Sequence, residues 1–140
     1  MSIQPNQIIL LLSASGLLGL ASTNILGANL NLDDIARQIA QQHNANASRV
    51  TDEFTISSSA TSVGKNVIFN YTLAIRPDTP KNKIDQFVSE WKAEMVPQTC
   101  QANANSEAFK QGLYYTFIYF DRNRNKITEY SVSRDTCLRR

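Results

Sequence analysis

The side chains that could do chemistry in this 140-residue chain are few and scattered. It has a single histidine, His43, and neither of its two cysteines, Cys100 and Cys137, has a base near it in the sequence. A catalytic thiol needs a base that removes its proton, although a distant part of the chain can supply one. A disulfide between the two cysteines would remove this chemistry. The sequence therefore gives little support to a catalytic thiol.

The stretch from Asp121 to Asn125 matches the first ligands of a calcium loop, with oxygen-bearing side chains at alternate positions. The match ends there, because Lys126 stands where the loop needs a glycine and Val132 where it needs a bidentate glutamate. Interleaved arginines also repel a dication. Local hydrogen bonds of the Asx type in a hairpin turn explain this stretch better. Since the ligands that zinc prefers are also scarce, we predict no metal and no cofactor.

The acidic residues do not suggest a general acid–base pair. Asp33 and Asp34 begin a predicted helix, and Glu90 and Glu94 lie one turn apart on a polar helix face. The net charge of +2 is too small for a nucleic-acid binder, which needs a dense basic surface. We therefore predict a protein that is not an enzyme and does not bind nucleic acid. Basic residues at the two ends of the closing hairpin suit either an anionic partner or solvent: Arg122, Arg124, Lys126, Arg139 and Arg140.

The first 32 residues carry no charged side chain, and residues 8–21 are apolar or small throughout. This length is typical of the apolar part of an export signal and is short for a membrane span, which needs roughly 20 residues. We therefore divide the chain into an apolar leader, residues 1–28, and a single domain, residues 29–140. The leader is either a signal peptide or an uncleaved anchor that contacts a membrane or a partner through residues 8–28. Both interpretations place the domain beyond a membrane.

Export also affects whether the two cysteines form a disulfide. Disulfides persist in oxidising compartments, so two cysteines without a C-x-x-C motif favour a structural disulfide between Cys100 and Cys137 once export is granted. The alternative is a pair of unrelated buried thiols in a cytosolic protein.

Alternating apolar and polar residues predict two β-hairpins. The first pairs Val50–Val63 with Val67–Ile75, and the closing hairpin pairs Leu113–Phe120 with Lys126–Cys137. Because strands and helices are grouped along the chain, we predict an α+β domain with a four-stranded antiparallel sheet and one disulfide.

Two helices pack with this sheet in the prediction. An N-terminal helix runs from Leu32 to Gln42, followed by a polar loop that contains His43. Apolar side chains recur at helical spacing from Asn82 to Val96, and Pro97 should end this central helix. The predicted core residues are Phe69, Tyr71, Leu73, Phe87, Trp91 and Met95.

The sheet face opposite the central helix is the candidate partner surface, together with the edge formed by the first strand. The alternative is that the N-terminal helix covers this face. The residues predicted to contact a protein partner are Phe54, Ile56, Ile68, Ile118 and Phe120.

The second half of the chain carries a family resemblance. The helix Ile84–Met95 leading into Cys100, the run Gln111–Ile118 and the ending Ser133–Cys137 resemble the β-class pilotin lipoproteins of bacterial type II secretion systems. One departure is Leu20, which stands where those proteins have a lipidated cysteine.

The resemblance implies a non-enzymatic protein on the periplasmic side of the envelope. Such a protein binds a C-terminal segment of the secretin and escorts it to the outer membrane, and Cys100–Cys137 is the disulfide of the family. Two alternatives stay open: a membrane-anchored structural subunit of an envelope assembly, and a small exported inhibitor or immunity protein.

Overall fold

The computed structural model of the protein describes residues 29–47 and 54–139. The predicted leader, residues 1–28, and the start of the predicted first strand lie outside these ranges. The described elements, in chain order, are α1 (Leu32–Asn46), β1 (Thr55–Val63), β2 (Asn66–Leu73), α2 (Lys81–Ala102), α3 (Glu107–Lys110), β3 (Tyr114–Phe120), β4 (Lys126–Val132) and α4 (Arg134–Leu138).

The four strands form one sheet in the order β1-β2-β3-β4. Both predicted hairpins are present, since β1 pairs with β2 and β3 with β4 in antiparallel fashion. The prediction that the last strand continues to Cys137 was wrong: β4 ends at Val132, and the Ser133 side chain caps a helix that follows it. The α+β fold with four strands and a Cys100–Cys137 disulfide is therefore confirmed.

The sheet differs from the prediction at its centre, where β2 and β3 run parallel, from Asn66 opposite Tyr114 to Thr72 opposite Phe120. The sheet is thus mixed and not antiparallel throughout. Parallel neighbours need a long crossover connection, and residues 74–113, which contain α2 and α3, supply it.

Helix α1 begins where the sequence predicts and continues past Gln42. The Asn31 side chain accepts a hydrogen bond from the Asp34 N–H at 3.1 Å, which satisfies one free donor of the first turn. The helix then continues to Asn46, so the prediction of a loop at His43 was wrong. The buried residues Ala36, Ile39, Ala40 and His43 explain why, because their spacing extends one apolar face by another turn.

Helix α2 runs through Pro97 to Ala102, and the prediction that this proline ends the helix was also wrong. A proline inside a helix removes one backbone donor, which usually kinks or ends the helix. Here the following turn is buried at Thr99 and Cys100, and the Thr99 hydroxyl donates to the Met95 carbonyl at 2.8 Å. Packing of this turn therefore outweighs the lost hydrogen bond, and it places Cys100 on the helix.

The helices pack on one face of the sheet. The His43 ring of α1 lies 5.0 Å from the Phe69 ring and 6.1 Å from the Tyr71 ring, between centroids. The Trp91 ring of α2 lies 5.9 Å from that of Tyr119, which is the register partner of Tyr71. Both helices therefore cover the same face, on which Phe69, Tyr71, Leu73, Trp91 and Met95 are fully buried and Phe87 packs at the margin.

Candidate partner-binding surface

The opposite face of the sheet carries no helix in the ranges that the structure describes. Side chains alternate between the two faces of a strand, so residues adjacent to the buried Phe69, Phe117 and Tyr119 point away from the helices. We call this surface the open face and define it by the outward residues of the two central strands: Asn66, Ile68, Asn70, Thr72, Tyr114, Thr116, Ile118 and Phe120.

An apolar stripe crosses the open face. Ile68 on β2 and both Ile118 and Phe120 on β3 remain partly exposed. Thr116 is opposite Ile68 and Asn70 is opposite Ile118, so the two isoleucines lie on a diagonal of the parallel pair. Long side chains can reach such a diagonal neighbour. The three residues thus lie as diagonal or alternate neighbours on the same face.

Polar residues flank this stripe, and Thr116 bridges two neighbouring strands. The Thr116 hydroxyl donates to the Asn66 side-chain oxygen at 3.0 Å and lies 2.8 Å from the Ser131 hydroxyl oxygen. Outer strand β1 adds Ser57, Ser59 and Thr61. An apolar centre with a polar rim is the usual pattern of a protein–protein interface.

The structure separates the five predicted partner-contact residues into two groups. Ile68, Ile118 and Phe120 share the open face, as described. Phe54 is buried, and its carbonyl accepts a hydrogen bond from the Ala74 N–H at 2.8 Å. Ile56 is 51% exposed and lies where the register between β1 and β2 shifts.

The free edge of β1 is occupied at its middle by a side chain of α1. The Asn44 amide nitrogen donates to the Ala60 carbonyl at 2.8 Å, and its amide oxygen accepts from the Ala60 N–H at 2.7 Å. Asn44 therefore satisfies both backbone groups that an added strand would need at this position. Covering an edge in this way disfavours strand addition. A partner strand that pairs with this edge would therefore have to displace Asn44.

His43 also contacts β1 but is not placed for catalysis. Its Nε2 lies 3.2 Å from the Ser58 hydroxyl, which superficially suggests a nucleophile and its base. However, the ring is only 2% exposed and is enclosed by Phe69 and Tyr71. Burial lowers the pKa of His43 below its ordinary value of 6.5, so the neutral ring is favoured at neutral pH. The pair holds α1 against β1.

Buried phenols lie beneath the other strands. The hydroxyl oxygens of Tyr119 and Tyr130 lie 3.2 Å apart. Burial raises the pKa of Tyr119 to about 12 and also raises the pKa values of Tyr71 and Tyr130. These three groups therefore stay protonated at neutral pH and offer no acid–base chemistry there.

Asp121 is engaged within its own turn, as the sequence predicts. Its carboxylate accepts from the N–H groups of Asn123 and Asn125, both at 2.9 Å, and from the Asn125 side-chain amide at 3.3 Å. Among the described residues no three His, Cys, Asp or Glu side chains gather in a group that could hold a metal ion. Over the same ranges, no helix is both long and apolar enough to span a membrane.

Comparison with known proteins identifies a shared fold. No protein-family model and no curated protein matches the chain. Its structure is similar to a crystal structure from Pseudomonas aeruginosa described as a "putative secreted protein", with a TM-score of 0.63 and 12% sequence identity. The similarity covers 79% of this chain and 99% of that one. At this identity the comparison shows the fold alone, and a function has to be argued from the residues of the candidate surface.

Proposed function

We propose that this protein is an exported, non-enzymatic accessory protein that binds a segment of a partner protein on its open face. The observation that carries the proposal is the apolar stripe of Ile68, Ile118 and Phe120 on a sheet face that carries no helix from residues 29–47 or 54–139. A sheet with apolar residues on both faces is normally covered on both. A partner segment would supply the missing layer.

The width of the open face suits a helical segment. Sheet strands are about 4.8 Å apart, so the two central strands and their neighbours make a surface about 15 Å wide. A helix with side chains is about 10–12 Å across, so one helix fits on this surface. An extended segment would bind best at a strand edge, and Asn44 occupies the middle of the β1 edge.

Two observations support export. The disulfide between Cys100 and Cys137 suits an oxidising compartment. The structural neighbour is described as secreted. We infer a location on the periplasmic side of a bacterial envelope, with the apolar leader as the export signal.

The finer proposal is a pilotin-like role. Through the resemblance, the partner is a secretin of a secretion system, and the bound helix belongs to its C-terminal segment. The protein then helps that secretin to reach or assemble in the outer membrane.

The test measures binding of the C-terminal segment of the secretin encoded in the same genome. The protein is expressed as the full chain and purified from the periplasm, and titration calorimetry gives the affinity. We expect Ile118→Lys to weaken binding by at least about tenfold, because it places a charge in an apolar contact. Ser89→Lys, on the exposed side of α2, is the matched control and should change affinity less than about twofold.

A cellular readout separates the general proposal from the pilotin role. If deleting the gene mislocalises the secretin and the Ile118→Lys variant fails to restore its localisation, the general proposal and the pilotin role are both supported. Normal secretin localisation after deletion would reject the pilotin role. If the two lysine variants bind equally well, the open face is not the binding surface.

A further inference from the structure

A second surface lies beyond the carboxyl ends of the parallel strands β2 and β3. It is a groove of about 680 Å³ between the loop that follows β2, the first half of α2 and the β3–β4 turn. The Arg122 N–H donates to the Ile75 carbonyl at 2.9 Å, which joins the turn to the loop. In open sheets with parallel strands, ligands commonly bind outside these strand ends. The volume is in the range of small-molecule and peptide side-chain pockets.

The floor of the groove is apolar and attached to the core. Ile75 is 6% exposed, and Ile84 and Phe87 are partly buried. The Phe87 ring lies 5.2 Å from that of the buried Trp91, between centroids. The floor is therefore held in place before a ligand binds, which lowers the entropic cost of binding.

The rim of the groove is mainly cationic. Arg76, Lys83 and Arg122 come from three different elements, whereas Glu90 is the one acidic residue among the lining residues. Arg76 donates to both carboxylate oxygens of Asp78, at 3.1 and 3.0 Å. That ion pair is about 70% exposed on each side, so exchanging Asp78 for a ligand carboxylate costs little. The charge of the rim is complementary to an anionic ligand.

We propose that this groove binds an acidic protein segment that places one apolar side chain on the floor and carboxylates on the rim. Arginine forks match carboxylates with two parallel hydrogen bonds, and a ring of cations around an apolar anchor resembles a protein interface. A lipid acyl chain fits less well, because the polar residues Thr79, Gln86 and Glu90 interrupt the apolar lining of the groove. The proposal does not depend on the open face or on the pilotin role.

The test uses a short fluorescent peptide of repeated Glu-Glu-Leu-Leu units and the protein purified from expression of the full chain. A peptide with Lys in place of every Glu and one with Ser in place of every Leu are the ligand controls. Amide NMR spectra locate the binding surface, and fluorescence anisotropy at low ionic strength gives affinity. We expect the Glu-Leu peptide to shift the amide signals of Arg76, Lys83, Phe87 and Arg122, and to bind at least about tenfold tighter than either control.

Charge reversal then tests the rim. Lys83→Glu and Arg122→Glu should each weaken binding at least about fivefold, whereas Lys110→Glu, an equal charge change on α3, should change it less than about twofold. Thermal unfolding checks that each variant folds. Equal effects of all three reversals would overturn the proposal, as would shifts confined to open-face residues or no binding. Displacement of the peptide by phosphatidylglycerol vesicles that shift the same signals more strongly would indicate a lipid site and would also overturn it.

Discussion

Removing the Cys100–Cys137 disulfide should lower the free energy of unfolding by about 4 kcal/mol. The bond closes a loop with a sequence separation of 37, for which the chain-entropy model gives this value. Domains of this size are stabilised by about 5–15 kcal/mol in total, so the bond carries a large share. It joins the last turn of α2 to α4, a five-residue helix with no buried residue. The bond is therefore the covalent link that ties this short helix to α2.

The assay is urea unfolding followed by the fluorescence of Trp91, which is the only tryptophan and is 1% exposed. We compare the oxidised protein, the protein with dithiothreitol, and the Cys100→Ala/Cys137→Ala variant. The last two should lose similar stability, with a fall in Tm of roughly 15 °C. Reductant should leave the double variant unchanged, which is the internal control. A loss below about 1 kcal/mol would refute the reasoning, because the loop would then be constrained without the bond.

Three further predictions concern α1 and the closing turn. Because burial lowers the pKa of His43, the unfolded chain takes up a proton more readily, so stability should fall as pH drops below about 6.5. In urea unfolding at about pH 7.5 and about pH 5.5, the His43→Gln variant should show a smaller change in the free energy of unfolding between the two pH values. An unchanged difference would contradict the prediction. Asn44→Ala should cost about 2 kcal/mol and increase self-association in light scattering, because it uncovers Ala60 at the β1 edge. Gln41→Ala, at an exposed position of α1, is the control. Equal stability and equal self-association of the two variants would refute the argument that Asn44 covers the β1 edge. Arg124 has a φ of 67°, so Arg124→Gly should raise stability by up to about 1 kcal/mol in thermal unfolding, and a clear loss would show that this side chain is needed.

Local patterns predicted much of the fold. The alternation in β2 and the helical spacing of Ile84, Phe87, Trp91 and Met95 are short-range signals, and both elements are present. The same alternation placed Ile68 and Ile118 on a face away from the central helix. These predictions succeed because the period of side-chain burial is set by the backbone geometry of each element.

The direction of the central strand pair could not be predicted in this way. Both β2 and β3 carry apolar residues on each face, so their patterns are compatible with parallel or antiparallel neighbours. Long-range contacts also decide which sheet face α1 covers, because the apolar stripe of α1 can pack on any apolar surface. The burial of His43 within α1 was predictable in principle from its spacing after Ala36, Ile39 and Ala40. The prediction of a loop instead followed from the polar character of the histidine side chain.

The two proposed surfaces are close in sequence at the end of β3. Phe120 belongs to the open face, and Arg122, two residues later, lines the groove. However, α2 lines the groove and packs on the side of the sheet away from the open face, so the two proposals do not require one shared segment. Neither proposal uses backbone pairing at the β1 edge, whose middle Asn44 occupies, so each expects affinity from side-chain contacts. The two proposals therefore expect different ligand sequences: the apolar face of a helix for the open face, and acidic residues around one apolar anchor for the groove.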